Sequence, residues 1–385
     1  MRVGMMVAQL MVGCSSVVHA ARLAAVAKVV EGIVDGRRLV PATVGRSLKG
    51  SARPKHGIKC VDRLLGNPHM ATDRMFFFLA LAHHLLRGCQ RPVILVDWTH
   101  AGGKNEALVA AVPIGGRALP IFVEVHPLKK LGNVAVEERF LHKLKAIVPC
   151  ECRGIIVSDA GFKGPFFQVV LELGWDFLGR VRGTAKAVRS DGEIVSKEEF
   201  YQRASLCPRD LGRFALFVQQ RLPCRLVLVR KRRKSGRKPP PPKCKEEREL
   251  RQSALDPWLL ATSLADGDSA YIVSLYAKRM QIEETFRDAK NHRFGWCLGT
   301  VRLSTPQRMA TLLLLAALAL AVVTLIGMSA EHRGLHRGYQ ANTETQRVLS
   351  FFVLACSIIS RGELNHLSFD DFANSLATIA GAVNA

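Results

Sequence analysis

Residues 309–328 read MATLLLLAALALAVVTLIGM, an apolar run without a single charge. About 20 such residues are enough to cross a bilayer, and they are equally suited to a helix buried on every side of a large core. Thr305 and Pro306 ahead of the run make a good N-cap and first helical turn under either reading. Most of the charge in the chain precedes this stretch, and a lone span after so many charged residues has no partner helix in a membrane. The run therefore reads as the central helix of a core, which the remaining elements must wrap. The N-terminus, MRVGMMVAQLMVGCSSVVHAARLAA, imitates a secretory signal. Its basic region is Arg2 alone, and a helical pattern continues through Arg22, Lys28, Arg37 and Arg38, so neither secretion nor a membrane partner is expected.

Charge narrows the partner. The 385 residues carry 55 Lys plus Arg against 32 Asp plus Glu, a net charge of +23, which points to a polyanion. With 48% hydrophobic residues the chain can bury a core, and its length predicts two to four structural units. Its ten cysteines form no CxxC pair and no zinc spacing, and Cys150 and Cys152 stand too close for a structural site. They read as free thiols of a reducing cytoplasm.

Helical periodicity runs through residues 5–34. In 43–67, Val44 and Leu48 are spaced for one short helix, and Ile58, Val61, Leu64 and Leu65 for another. Gly50, Ser51 and Pro54 mark a turn between them. Arg46, Lys49, Arg53, Lys55, Lys59 and Arg63 give this pair the look of a small DNA-binding module, or of an ordinary basic surface. A further apolar helix spans 73–86. Strands follow at 93–98, 107–114 and 118–125, the last two joined by Gly115–Gly116 as a hairpin. A helix over 134–147, a strand at 154–157, a helix at 164–173 and a strand at 175–181 complete an α/β run. Three strands, helix, strand, helix, strand is the order of a ribonuclease-H-like domain. Strand-like pieces at 213–220 and 224–231, a basic proline-rich loop at 230–245 and a strand at 257–264 come next. The loop is read equally as solvated chain or as a phosphate-contacting arm.

Asp97 and Asp159 end two of the apolar strands, at the edge where α/β sheets place their chemistry. Each alone also fits an ordinary turn residue. The stretch 271–291, YIVSLYAKRMQIEETFRDAKN, has no Pro or Gly and predicts one continuous helix. Along it Tyr276, Arg279, Glu283 and Lys290 would fall on a stripe only ~60° wide. Its plain reading is a solvated face with ion pairs. Its functional reading is a carboxylate for a divalent metal, flanked by phosphate-gripping cations and a phenol. Three carboxylates on two strand ends and a later helix can hold two Mg²⁺ ions about 4 Å apart.

These residues resemble those of the DDE transposases of bacterial insertion sequences, in the subgroup marked by Y-x2-R-x3-E-x6-K. Tyr276, Arg279, Glu283 and Lys290 match that signature without a gap. VDW around Asp97 and SDAGF around Asp159 match the first two acidic motifs, and PWLLATSL matches the strand that closes an inserted β-domain. Residues 55–67 and 277–288 are similar to the transposon-10-type cut-and-paste enzyme. The resemblance implies an α/β fold: an RNase-H-like catalytic domain with a mostly β insertion, flanked by helical N- and C-terminal regions. The implied segments are 1–88 for DNA binding, 89–182 and 263–328 for the catalytic core, 183–262 for the insertion and 329–385 for the C-terminal helices. It further implies Asp97, Asp159 and Glu283 as catalytic Mg²⁺ ligands, with Mn²⁺ able to substitute. Double-stranded DNA would be the substrate, a homodimer in a paired-end complex the working form, and the nucleoid-bearing cytoplasm the location. Tyr276, Arg279 and Lys290 would grip phosphates, and Trp258 would stack on a base flipped out near a DNA hairpin. Ala160 departs from the pattern, since many relatives carry Arg there, and the segment 100–104 has no assigned contacts. The rival readings are a DDE-fold nuclease or inactive remnant, and a non-catalytic DNA-binding protein.

Overall fold

The computed structural model describes residues 3–183, 185–219, 221–231, 255–293, 295–303 and 305–383, with 241, 244 and 248 besides. The arm expected at 230–245 thus lies outside the described residues, apart from Arg230, Lys231 and positions 241 and 244. The chain divides into two compact units, one made of Met1–Gly154 and Met280–Ala385, the other of Ile155–Arg279.

The first unit opens with the expected helices α1 (Val3–Leu10) and α2 (Ala20–Gly36). The two short basic helices are α3 (Pro41–Ser47) and α4 (Pro54–Leu65), each with a proline in its first turn, where the missing N–H costs nothing. They cross backbone against backbone. A Cβ on Gly45 would lie 2.4 Å from Ile58 Cα, and one on Gly57 would lie 2.2 Å from the Gly45 carbonyl oxygen. α4 buries Val61, Leu64 and Leu65 and leaves Lys55, Lys59 and Arg63 exposed, each four residues from the next. Helix α5 (Met70–Leu86) leads into an antiparallel meander of β1 (Val93–Gly102), β2 (Asn105–Ile114) and β3 (Arg117–Pro127), in the order β3-β2-β1. Gly115 and Gly116 turn the second hairpin with φ of 55° and 87°. Helix α6 (Val134–Ile147) starts at Asn133, whose side chain accepts the Val136 N–H at 3.2 Å.

One expectation about β1 is corrected. The strand does not stop near Asp97; it continues to Gly102, so Asp97 lies mid-strand opposite Val109 instead of at a carboxyl end. The polar residues beyond it find long-range partners. Trp98 Nε1 donates to Glu137 Oε1 of α6 at 3.0 Å, and His100 Nδ1 lies 2.9 Å from Glu106 Oε1 on β2. This also gives 100–104 its role as a hairpin end, turned by Gly102 and Gly103 at φ 99° and 62°.

The second unit pairs β4 (Ile155–Ser158) in parallel with β5 (Asp176–Arg180), connected through α7 (Gly164–Glu172). Its remaining elements are β6 (Lys186–Val188), β7 (Ile194–Ser196), α8 (Lys197–Gln202), β8 (Arg209–Leu216), β9 (Leu222–Val229), β10 (Trp258–Thr262) and α9 (Ser269–Ala277). The strand order is β4-β5-β10-β9-β8-β6-β7. The mostly β segment is therefore an extension of the α/β sheet, because β10 pairs with β5 on one side and with β9 on the other.

The chain then returns to the first unit in α10 (Met280–Lys290), α11 (Pro306–His332), α12 (Phe351–Ser360) and α13 (Phe369–Val383). The single helix expected over 271–291 is in fact two. Lys278 N–H bonds to Leu275 O at 3.1 Å and Arg279 N–H to Tyr276 O at 3.0 Å, three-residue bonds that end α9 before α10 begins.

The apolar run at 309–328 lies within α11, which is long enough to cross a membrane yet has 94% of its apolar window buried in the protein. It packs against α1, α2, α4, α5, α12, α13 and β3. Leu312, Leu314, Leu315 and Leu318 are fully buried, each contributing about 1.5–3 kcal/mol. Its few polar groups are satisfied: Thr305 Oγ1 caps the Arg308 N–H at 3.3 Å, and Ser329 Oγ bonds the Leu325 carbonyl at 2.8 Å.

Candidate active site

In the first unit the site is built on one face of β1. Side chains alternate along a strand, so Trp98, turned to α6, leaves Asp97 and Thr99 on the opposite face. Helix α10 lies there, held by Thr285, whose Oγ1 accepts the Ala118 N–H at 2.8 Å, and by Arg117 Nε bonded to Asp288 Oδ2 at 2.6 Å. Lys290, at the end of α10, donates to Thr99 Oγ1 at 2.8 Å. Burial pushes the Lys290 ammonium below the ordinary lysine pKa, and the carboxylates of Glu106 and Asp97 oppose that shift. Glu283 occupies the first turn of α10, half-buried and about 10 Å along the axis from Lys290 on nearly the same helix face. Glu284 is engaged separately, with Arg287 at 2.8 Å.

In the second unit Asp159 directly follows β4. Its Oδ1 accepts the Gly161 N–H at 2.7 Å, so the half-buried carboxylate also serves the turn. Tyr276, 2% exposed, sets its ring edge-on to Trp258 with centroids 4.7 Å apart and planes at 82°. Burial drives the Tyr276 phenol pKa up; Arg279 and Arg180 oppose this and Asp159 reinforces it. The Arg279 guanidinium stands 5.9 Å from the Tyr276 ring centroid, and Lys231 Nζ sits 3.7 Å over the Trp258 ring. A cleft of about 1190 Å³ opens beside them, lined by Asp159, Lys163, Arg180, Arg182 and Lys186 among others. Four cations against one carboxylate make this a place for a polyanion.

Of the six basic residues singled out near the N-terminus, Arg46 lies on α3, Lys49 in the turn, Arg53 before α4, and Lys55, Lys59 and Arg63 on α4; all six are exposed. Lys49 is paired within the protein, to Asp35 at 2.6 Å and Glu31 at 3.3 Å. These acids raise its pKa and share its charge, which leaves five cations on that surface for an outside partner.

A family model described as the transposase DDE domain matches residues 88–322, more than half of the chain. The chain belongs to the DDE transposases. No curated protein matches it.

Transposases of this kind work on DNA with divalent metals, and the donor set fits. Asp97, Asp159 and Glu283 offer hard carboxylate oxygens suited to Mg²⁺ rather than the thiolates and imidazoles that favour zinc. Among the described residues no group of three or more His, Cys, Asp or Glu side chains is drawn together closely enough to hold an ion.

The transposase also carries residues that the motif reading passed over. Arg180 and Arg182 extend from the end of β5 with the two-residue spacing that puts both on one face, a signal present in the sequence. Arg180 Nη2 donates to the Asp256 carbonyl at 3.0 Å, tying the cleft to the chain entering β10. Thr99, by contrast, had no sequence signal, because its partner is 191 residues away.

Proposed function

We propose that this transposase binds the inverted terminal repeats of an insertion sequence and moves it by cut-and-paste transposition. The observation that carries the reading is the Lys290–Thr99 hydrogen bond, which docks the helix of Glu283 on the strand face of Asp97. Asp97, Asp159 and Glu283 would hold Mg²⁺, or Mn²⁺ in its place. When bound, the metals lower the pKa of a water or 3′-hydroxyl and stabilise the leaving oxygen.

The protein's own residues orient the strand. Lys290, Arg279 and Tyr276 grip phosphates near the cut, and Arg180 and Arg182 hold the strand along the cationic cleft. Hydrolysis frees a 3′-hydroxyl at the element end. That hydroxyl attacks the opposite strand, losing its proton and expelling the flanking DNA, so that the end closes as a hairpin. Trp258 stacks on a base flipped from the hairpin, for which the Lys231 ammonium must leave the indole face. The exposed cations of α3 and α4 bind the repeats. An RNase-H-like core interrupted by the β segment fits the strand and helix order, and a homodimer fits the need to cut both ends together. The enzyme would act in the cytoplasm, at the nucleoid.

Glu283→Ala is expected to abolish Mg²⁺-dependent nicking of element-end DNA while leaving DNA binding intact; retained nicking would overturn the assignment. A second reading is a remnant that binds DNA without turnover. Absence of nicking by the unaltered protein would favour it.

A further inference from the structure

Three helix ends of the first unit meet around a second basic hollow, apart from the residues assigned above. It has a volume of about 360 Å³ and is lined by Arg37 and Arg38 after α2, Arg293 after α10, and Ser360 and Arg361 at the end of α12, with Tyr339 beside them. The backbone beneath is tightly set. Arg37 takes a left-handed conformation, φ 51° and ψ 40°, which is unfavourable for a residue with a Cβ. Leu39 N–H bonds the Trp296 carbonyl at 2.8 Å, and Arg38 Nη1 bonds the Gly295 carbonyl at 3.1 Å, joining the two arginine-bearing segments. A Cβ on Gly295 would lie 1.6 Å from the Asp288 carbonyl oxygen, so the loop that presents Arg293 depends on glycine there.

Cations at helix C-termini have an ordinary purpose, since each terminus carries about half a negative charge. Here that purpose does not use up the charge. Three termini supply about −1.5 and Glu363, bonded to Arg361 at 2.9 Å, supplies one more negative charge. Four guanidiniums therefore leave a surplus of about +1.5. Among the described residues, Arg37, Arg38 and Arg293 have no carboxylate within ion-pair distance. Like charges held in a concave, preorganised frame without counter-charge are costly unless an anion fills the frame.

We propose that this hollow binds the phosphodiester backbone of DNA, gripping the duplex beyond the cut. The proposal rests on the reading of the chain as a DNA transposase. Glu283 and Lys290 lie about 10 Å apart along α10, and Arg293 follows its C-terminal end. That is about three base pairs at about 3.4 Å each before Arg293 is reached, so one duplex can engage both. The contact is to phosphates and carries no base preference.

The test is fluorescence anisotropy of a labelled random-sequence duplex over a salt series, with Arg37→Gln/Arg293→Gln and each single substitution, and melting curves to verify folding. Each lost phosphate contact lowers the log–log salt slope by about 0.9, so the double variant is expected to lose about 1.8 and each single variant about half of that. Arg37→Lys/Arg293→Lys retains the charges and should retain the slope. An unchanged slope in the folded double variant overturns the hollow, while nicking lost in Glu283→Ala leaves the transposase reading standing. An unaltered protein without salt-dependent DNA binding would overturn both.

Discussion

The Lys290 ammonium donates a 2.8 Å hydrogen bond to Thr99 Oγ1, joining the helix of Glu283 to the strand of Asp97. Burial lowers the Lys290 pKa more than Glu106 and Asp97 raise it, so its charge is lost at a pH below that of a free lysine. If that charge grips phosphate, nicking falls as pH rises through the lowered value. Over the same window the unfolded chain still holds the proton, so stability rises with pH and unfolding is not the cause. Lys290→Arg keeps its charge throughout and should shift the alkaline limb upward. An alkaline limb at the same pH in this variant would exclude Lys290 as its source.

Thr99→Val removes the acceptor while nearly preserving shape. A half-buried ammonium then lacks its partner, at a cost of about 1–3 kcal/mol. Urea unfolding should show that loss, and Thr99→Ser should recover most of it. A Thr99→Val protein as stable as the original would show that water replaces the contact.

Gly45→Ala places a methyl group 2.4 Å from Ile58 Cα, where only backbone movement can relieve it. Overpacking of this kind costs about 1–3 kcal/mol or more. The expected readouts are a lower melting temperature and weaker binding to element ends, since α3 and α4 would shift together. Gly338→Ala, where a Cβ meets nothing within 4 Å, is the control that should change neither.

Trp258 is 6% exposed, between Lys231 and Tyr276. Trp258→Ala should slow hairpin formation far more than the first nick, measured on strand-labelled DNA. Equal slowing of both steps would assign the indole to packing alone.

Much of the fold was legible because its signals are local. A helix was expected over 134–147, and α6 has those limits, with the Asn133 cap added by the structure. Gly115–Gly116 predicted its hairpin through the positive φ that both residues adopt. The candidate site was legible only as residue types at spacings. Tyr276, Arg279, Glu283 and Lys290 could be picked from the string, but not the turn at Lys278–Arg279 that parts them into two helices.

The sequence by itself determined the type and order of most elements, the DDE family, the surplus of positive charge and the presence of one helix apolar all round. Tertiary structure alone decided that the helix is wrapped by protein, that β1 runs on past Asp97, and that the 271–291 stretch breaks. The last two outcomes involve partners remote in the chain: Glu137 for Trp98, Trp258 for Tyr276, and Ala118 for Thr285. A helix former can yield its continuity when contacts on either side of a turn are worth more than the few tenths of a kcal/mol that propensity supplies per residue.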